Sequence, residues 1–513
     1  MQPRKAEAVA LKFPRAMKWL ATPLLCILSG AALPFAFAPW NLPLLAIASP
    51  ALLFFLWLNA RPLEAFRRGF LFGLGMFGVG VSWLHVSMYE FGGMNLAAAV
   101  AATAVVVAYL ALFPACVGFL SRRCDRGGGM PHMLCVVPSL WTLGEWVRSW
   151  LFSGFPWLNL GYSQTDTLLG GFAVTGGVFA LSAVLAIMAG ALVIVCTGGR
   201  HQRILAIVIT VLIAAAAWAA GKPEWTRSTG VVLKATLIQG AIPQQLKWRD
   251  EQRLISLQVY RELTEPHWNS DIIVWPETAI PAFKHQVQDY LDDIARRASA
   301  NGADLYVGLP YLDAGRGGYF NSVFLLNHEE SAYHKRHLVP FGEYLPLGST
   351  LRGAFNFLQI PMSDFSAGDQ PKPVIAGDNA IAGISICYED TFGEEVIQAL
   401  PESQILINVS NDAWFGDSAA PHQHLQMARM RALETGRYLL RATNTGISAV
   451  IDDRGVILAR SPQFAPSALG SAVELREGLT PYARFGNMPI VIVAFLGVLL
   501  PSRFRARKSP DRT

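Results

Sequence analysis

GGGMPHMLCVVPSLWTLGEWVRSWL, residues 127–151, is the stretch whose reading decides how the rest of the chain is arranged. It opens on three glycines, contains two prolines, and carries Glu145 and Arg148 near its end. Seven other windows, at 19–40, 41–60, 69–89, 91–120, 167–197, 204–221 and 485–502, hold no Lys, Arg, Asp or Glu. About 20 apolar residues cross a hydrocarbon core. Most of these windows reach that length, and the last is shorter but strongly apolar. Glu145 and Arg148 stand three residues apart, which fits either an interfacial ion pair or a polar group inside the membrane.

Counted as a span, 127–151 makes the basic residues alternate. They cluster in the N-terminal tail (Arg4, Lys5, Lys12, Arg15, Lys18), at Arg61, Arg67 and Arg68, at Arg122, Arg123 and Arg126, at Arg200 and Arg203, and after 502. The connections near 40, near 90 and at 152–166 have none. By the positive-inside rule both tails are cytoplasmic. Not counted, the stretch inverts the sidedness and breaks the alternation. The expected organisation is a bundle of seven spans over 1–221, a domain over 222–484 on the far side, periplasmic in a bacterium, and a last span with a basic cytoplasmic tail over 485–513. The first window follows a basic stretch as a signal peptide would. A second apolar window follows at once, so it reads as an uncleaved span.

Composition agrees. Of 513 residues, 52% are hydrophobic and 15% charged, against about 25% charged in soluble proteins, and the mean hydropathy is +0.33. No zinc-type cysteine spacing and no nucleic-acid motif is present. The net charge of +5 is modest.

Residues 222–484 have a different texture. Short β-branched runs occur at 231–240, 271–278, 303–310, 320–327, 380–390 and 404–412, and 446–458 reads as a hairpin about a DDRG turn. Helical patterns at 284–300 and 422–437 lie between them. This alternation predicts an α/β domain with buried strands.

Three strand ends carry chemistry. DIIVWPET (271–278) delivers Glu277 past a buried strand, where ligands of open α/β sheets gather. YHKRHLVPFGEYLP (333–346) sets Lys335 between His334 and His337, which read as hydrogen-bonding groups because no third ligand stands at metal spacing. GISICYEDTF (383–392) ends a strand at Cys387. That thiol is a core residue, half of a disulfide, a metal ligand or a nucleophile. The other cysteines (Cys26, Cys116, Cys124, Cys135, Cys196) lie in or beside spans. The topology therefore leaves Cys387 no partner in its own domain, and one thiol makes a weak metal site. An unpaired thiol in an oxidising compartment is a liability unless it reacts. A carboxylate can take its proton, and an ammonium can stabilise the thiolate and then an oxyanion.

Glu277 in WPET, Lys335 in YHKRHLVPFGEY and Cys387 in CYED resemble the Glu-Lys-Cys triad of the nitrilase (carbon–nitrogen hydrolase) superfamily. With the apolar windows, and with FPWLNLGYSQ (155–164), KWRD (247–250), NVSNDAWFGDS (408–418) and HQHLQMARMRALETGRYLLRATNTGISAV (422–450), the chain resembles the apolipoprotein N-acyltransferase family along its length. The resemblance implies a nitrilase-like αββα sandwich on about eight spans and ping-pong acyl transfer. The donor is the sn-1 chain of a phosphatidylethanolamine-like phospholipid. The acceptor is the α-amino group of a diacylglyceryl apolipoprotein. It implies Glu277 as general base, Lys335 and the Tyr388 N–H at the oxyanion, Cys387 as nucleophile and Glu343 in support. Trp248, Tyr388 and Glu389 are candidate substrate contacts, with core packing the alternative. Asn408 and Asn411 read as braces. The apolar loops 355–365 and 413–418 read as a lid that meets lipid or as loops packed on the domain. No metal, dissociable cofactor, nucleic acid or oligomer is implied.

Two rivals stand beside this reading. A membrane-tethered amidase would need only a single anchor. A transporter or receptor with a dead outer domain would be expected to have lost part of the triad and to carry more ionisable residues in its spans.

Overall fold

A computed structural model describes residues 15–125, 129–313, 315, 317–328, 331–344 and 364–503. Each of the eight windows holds a helix: Arg15–Ala32, Leu45–Trp57, Pro62–Gly80, Leu96–Arg123, Val137–Arg148, Ala173–Thr197, Arg200–Ala220 and Met488–Arg503. Among the described residues, three helical stretches are long and apolar enough to cross a membrane: Leu96–Arg123, Leu168–Thr197 and Arg200–Ala220. A fourth is added if Pro62–Gly80 and Leu84–Phe91, bent by 58°, count as one span. Eight helices are thus present, but three or four have spanning length and composition. Several helices are shorter than their windows because the windows include connecting chain. Leu33–Ala36 is a 3₁₀ turn. The irregular residues after it are held from the other half of the protein, with the Ala38 N–H donating to Gln426 Oε1 at 3.1 Å.

The stretch 127–151 becomes a π turn, His132–Val136, running into the 12-residue helix Val137–Arg148. One face is buried in the bundle: Leu140, Trp141 and Thr142 are buried, and Trp141 meets Phe54 and Phe72 edge-on. Glu145 and Arg148 do not pair with each other. Glu145 accepts from Trp141 Nε1 (2.9 Å) and the Leu160 N–H (3.0 Å). Arg148 donates to the carbonyls of Phe155 (2.7 Å) and Trp157 (2.5 Å) and to Asn159 Oδ1 (2.6 Å). The pair therefore shapes the connection 151–164, the uncharged segment that turns toward the other half.

Among the described residues that half contains twelve strands, β1 Thr226–Gln239, β2 Ile272–Val274, β3 Asp304–Asp313, β4 Gly318–Leu325, β5 Ala332–His334, β6 Val374–Ala376, β7 Ile381–Ile386, β8 Ile405–Ser410, β9 Leu439–Thr443, β10 Ala449–Ile451, β11 Ile457–Arg460 and β12 Ser467–Gly478. They form two six-stranded sheets, ordered β12-β1-β2-β3-β4-β5 and β11-β10-β9-β8-β7-β6. β1, β2 and β3 run parallel, as do β7, β8 and β9. The inner faces share one core that includes Leu237, Val274 and Tyr306 from the first sheet and Ile384, Ile407 and Leu440 from the second. Helix Gln288–Ala300 packs outside the first sheet through Leu291 and Ile294, and Ala420–Thr435 packs outside the second through Leu425 and Ala428. The expected αββα sandwich is present.

Ala420–Thr435 has almost no free face, because its far side is packed on the bundle. Met427 and Met430 belong to the bundle's apolar core, with Tyr388 and Phe392. Where helix Ala173–Thr197 breaks at Gly176–Gly177, Gly177 has φ +67°, and a Cβ there would meet the Tyr482 ring at 2.4 Å. The break frees the Val178 N–H, which donates to Glu434 Oε1 at 2.8 Å. Glu434 also pairs with Arg431 at 2.9 Å, both side chains being buried. Removing one partner of a buried pair is expensive. Glu434→Ala is expected to destabilise the detergent-solubilised protein by about 3 kcal/mol. It should be read as a lowered thermal unfolding midpoint, with Glu434→Gln intermediate because it keeps the Val178 bond.

Candidate active site

The carboxyl ends of the parallel strands bring the predicted residues together. β2 is wholly buried, and Trp275 behind it stacks on Tyr260 at 5.0 Å and donates to Thr264 Oγ1. Pro276 then removes a ladder donor and turns the chain. Gly308 of β3 lets the turn lie close, since a Cβ there would strike the Pro276 carbonyl at 2.3 Å. Lys335 follows β5, with its N–H on the Asn321 carbonyl at 2.8 Å. Cys387 follows β7.

Lys335 Nζ lies 2.8 Å from both oxygens of Glu343 and 4.0 Å from Glu277 Oε1. Its side chain is 1% exposed. Asn321 Nδ2 donates to both carboxylates, at 2.7 Å to Glu277 and 3.1 Å to Glu343. The Val339 N–H fixes the other Glu343 oxygen at 2.8 Å. Burial works against the Lys335 charge, but Glu343 and Glu277 outweigh it and hold the ammonium protonated. Burial and the neighbouring Glu343 push Glu277 up, against Lys335 and the Asn321 bond. Burial and Glu277 push the Cys387 thiol well above its usual range, with Lys335 opposing. At neutral pH this cysteine rests as a thiol.

Backbone strain gathers here. Nine described non-glycine residues have positive φ, and four flank the site: Ala241 (+52°), Thr278 beside Glu277 (+48°), Phe341 beside Glu343 (+61°) and Cys387 itself (+53°). Each costs on the order of 1 kcal/mol, so each needs a surrounding that over-determines it. Beneath Cys387 that surrounding is a buried charged lattice. Arg441 donates to Asp390 Oδ2 (2.9 Å), Asp412 Oδ2 (3.0 Å) and Asn408 Oδ1 (2.5 Å). His424 sits between the same two aspartates, at 2.8 Å from Asp390 and 2.9 Å from Asp412. Its Nε2 and Asn408 Nδ2 both reach the Cys387 carbonyl, at 3.3 and 3.4 Å. Burial and Arg441 oppose a charge on His424, but the aspartates outweigh them and push it up to about 9.

The remaining predicted residues fall into place around this centre. Tyr388 lies flat against Trp157 (5.8 Å, 15°) and donates to the Gly154 carbonyl at 2.7 Å. Glu389 is buried and accepts from Tyr333 Oη (2.9 Å) and the N–H groups of Arg336 (2.7 Å), His337 (3.1 Å) and Ile386 (2.8 Å). That geometry ties the Lys335 loop to the Cys387 turn and leaves the carboxylate on protein donors. Trp248 is half-buried at the end of the turn Gln244–Lys247. Asn411 donates to Gln244 Oε1 at 2.9 Å. His334 contacts Ser322 Oγ, and His337 contacts Glu395 and the Ser153 carbonyl. Loop 413–418 is seated on the bundle: Phe415 meets Trp83 at 4.7 Å and Trp414 meets Phe91 at 5.5 Å. Most of 355–365 lies outside the described residues. One group away from the site, Asp304, His328 and Asp378, has the spacing of a cation site. Asp304 there already accepts the Asp378 and Asn379 N–H groups.

Sequence reasoning passed over Asn321, Lys247 and the Asp390–Asp412–His424–Arg441 lattice. The signal for the lattice lay in the HQHLQMAR stretch, where charged and polar residues fill a helical pattern on every face. That composition does not suit a solvated helix flanking a sheet.

Two family models match the chain, "Apolipoprotein N-acyltransferase N-terminal domain" over residues 29–191 and "Carbon-nitrogen hydrolase" over 234–476. Among curated proteins, the apolipoprotein N-acyltransferase of Methylococcus capsulatus is 46% identical, covering 95% of this chain and 97% of that one. That of Nitrosomonas europaea is 43% identical (92% and 94%), and that of Photobacterium profundum 38% (95% of each).

The raised His424 pKa makes a stability prediction. A group protonated more tightly when folded stabilises fully below its unfolded pKa of about 6.5 and loses that contribution as pH rises through its folded value. Unfolding free energy should therefore fall by on the order of 3 kcal/mol between pH ~6.5 and beyond pH ~9. His424→Gln should flatten that segment of the thermal-midpoint profile.

Proposed function

The chain belongs to the apolipoprotein N-acyltransferase family, and from that premise we propose that Cys387 carries an acyl chain from a phospholipid to the N-terminal amine of a lipoprotein. The observation that carries this reading is the buried Glu277–Lys335–Glu343 cluster beside the strained Cys387 turn, on a helical bundle with membrane-type composition.

The thiol attacks the sn-1 ester carbonyl of a phosphatidylethanolamine-like lipid. As the S–C bond forms, Glu277 takes the thiol proton, and the tetrahedral oxyanion lies against the Lys335 ammonium and the Tyr388 N–H. Tyr388 is the second residue of a 3₁₀ turn, where backbone N–H groups lack a partner within the turn. The intermediate collapses, the C–O bond breaks, and Glu277 returns the proton to the departing lysophospholipid oxygen. The α-amino group of the diacylglyceryl-modified cysteine then attacks the thioester. Glu277 accepts the amine proton and passes it to the leaving sulfur, and the new bond is an amide. Because Glu343 occupies Lys335 from the far side, the ammonium is fixed as a cation and does not compete as a base. Trp248 contributes an apolar wall for substrate, and Glu389 supports the site by bracing the two loops that carry Lys335 and Cys387.

The placement that goes with this chemistry is an inner-membrane protein with eight spans, seven before residue 222 and one after 484. Residues 222–484 form the periplasmic catalytic domain, and the protein acts as a monomer without metal or cofactor. The regular alternation of basic connections supports it, as does one helix in each window. Amide hydrolysis by a tethered amidase fits less well, since a bundle packed this fully against the domain exceeds what an anchor requires.

Purified protein incubated with phosphatidylethanolamine labelled in its sn-1 chain and a diacylglyceryl peptide should yield labelled peptide and a hydroxylamine-labile labelled enzyme. Cys387→Ala should lower transfer by more than about 1,000-fold, and Cys387→Ser should give no hydroxylamine-labile adduct. Retained transfer by Cys387→Ala would sink the mechanism. Glu343→Gln should lower transfer by about 10²–10⁴-fold with acyl-enzyme formation impaired in parallel.

A further inference from the structure

Lys247 is a buried ammonium for which neither the sequence motifs nor the triad provides a task. It ends the short turn Gln244–Lys247 and is 1% exposed. Its hydrogen bond among the described residues is a long one, 3.4 Å from Nζ to the Glu277 carbonyl oxygen. No carboxylate lies within ion-pair distance of it in the described residues. An ammonium withdrawn from water without a close anion costs several kcal/mol, so its presence beside Glu277 calls for a compensating role.

Counting formal charges identifies the role. The site holds two carboxylates, Glu277 and Glu343, against the single ammonium of Lys335, leaving one excess negative charge in a water-poor enclosure. The neighbouring groups do not supply the missing cation. Glu389 is met by the Arg336, His337 and Ile386 N–H groups and, through Tyr333, by the Arg336 guanidinium. Below Cys387, Asp390 and Asp412 are balanced by Arg441 and the His424 imidazolium. Lys247 restores neutrality.

We propose that Lys247 is the counter-charge of the catalytic carboxylate pair, a positioning residue that holds the Glu277 backbone and keeps its carboxylate ionised to receive the Cys387 proton. This rests on the acyl-transfer reading only in giving that proton a destination. Burial lowers the lysine's own pKa to about 8, with Glu277 opposing, so Lys247 is charged at neutral pH. The groups facing Glu277 include Lys247, Lys335, Glu343, Asn321 and Cys387, and those facing Cys387 include Glu277, Lys335, Asp412, Ser410 and Arg441, which all the variants leave in place except at the position changed. Removing a positive charge from this set raises both acids.

The test needs neither phospholipid nor lipoprotein. Full-length protein in detergent is alkylated with iodoacetamide across pH, and Cys387 is followed by peptide mass spectrometry. Lys247→Gln keeps a donor for the Glu277 carbonyl and removes the charge. Its alkylation profile should rise about one pH unit later than the wild type, while Lys247→Arg stays within a few tenths. The double variant Lys247→Gln/Glu343→Gln has a balanced site again, so its profile should return toward the wild type. It keeps the test decisive if the single variant does not fold. A Lys247→Gln profile superimposed on the wild type, or lowered equally at all pH without a shift, overturns the proposal, as does a double variant that stays displaced. A shifted profile in a protein that transfers no acyl chain would support the counter-charge and dismiss the acyl-transfer reading instead.

Discussion

Everything around Lys335 follows from enclosing one ammonium between two carboxylates. Taken from water, the three charges repel or attract with little screening, so their separations must be set by rigid elements. Three separate devices do this. Asn321 bridges the carboxylates with one amide. The Val339 N–H fixes the second Glu343 oxygen. Glu389 ties the Lys335 loop to the Cys387 turn. Sheet ends supply the positions because strands of both sheets are buried on two faces and cannot shift independently.

Much of this was legible in the sequence. The short β-branched runs gave β1, β2, β3, β4, β7 and β8 to within a few residues, and the DDRG turn gave β10 and β11, with the Asp452 N–H donating to the Val456 carbonyl. Four strands were missed. β5 and β6 are three-residue pieces, too short for a period, and β9, Leu439–Thr443, is a five-residue run interrupted by the buried Arg441. β12 is twelve residues long but exposes much of one edge, so its apolar alternation is diluted. Helix Asp250–Thr264 was hidden by its mean polarity. Glu277, Lys335 and Cys387 were legible because each stands alone at a strand end. Asn321 was not, since an amide in the middle of an apolar strand carries no local signal of the two acids it bridges across the sheet.

The membrane half is read from absence of charge, which marks chain that avoids water, and chain packed within protein avoids water as well as chain in lipid does. The residues around 37–44 are held from the other half at Ala38, and helix Val137–Arg148 packs on Phe54 and Phe72 of the bundle, so length and composition alone single out three or four of the eight helices. The ionisable pair Glu145 and Arg148 also serves structure. Arg148 donates to the carbonyls of Phe155 and of Trp157 itself, and Trp157 in turn stacks on Tyr388. The Cys387 turn thus rests on an arginine of the bundle.

An outer helix of the sandwich without a water-facing side has a consequence for inheritance. Ala420–Thr435 presents Met427 and Met430 to the bundle, and the Cys387 turn presents Tyr388 and Phe392 beside them. Severed near residue 222, the domain would bare that patch and take the Val178 N–H from Glu434, and a surface of that kind drives self-association. The seam therefore constrains inheritance: a half exchanged for one that does not match it would expose Met427, Met430, Tyr388 and Phe392.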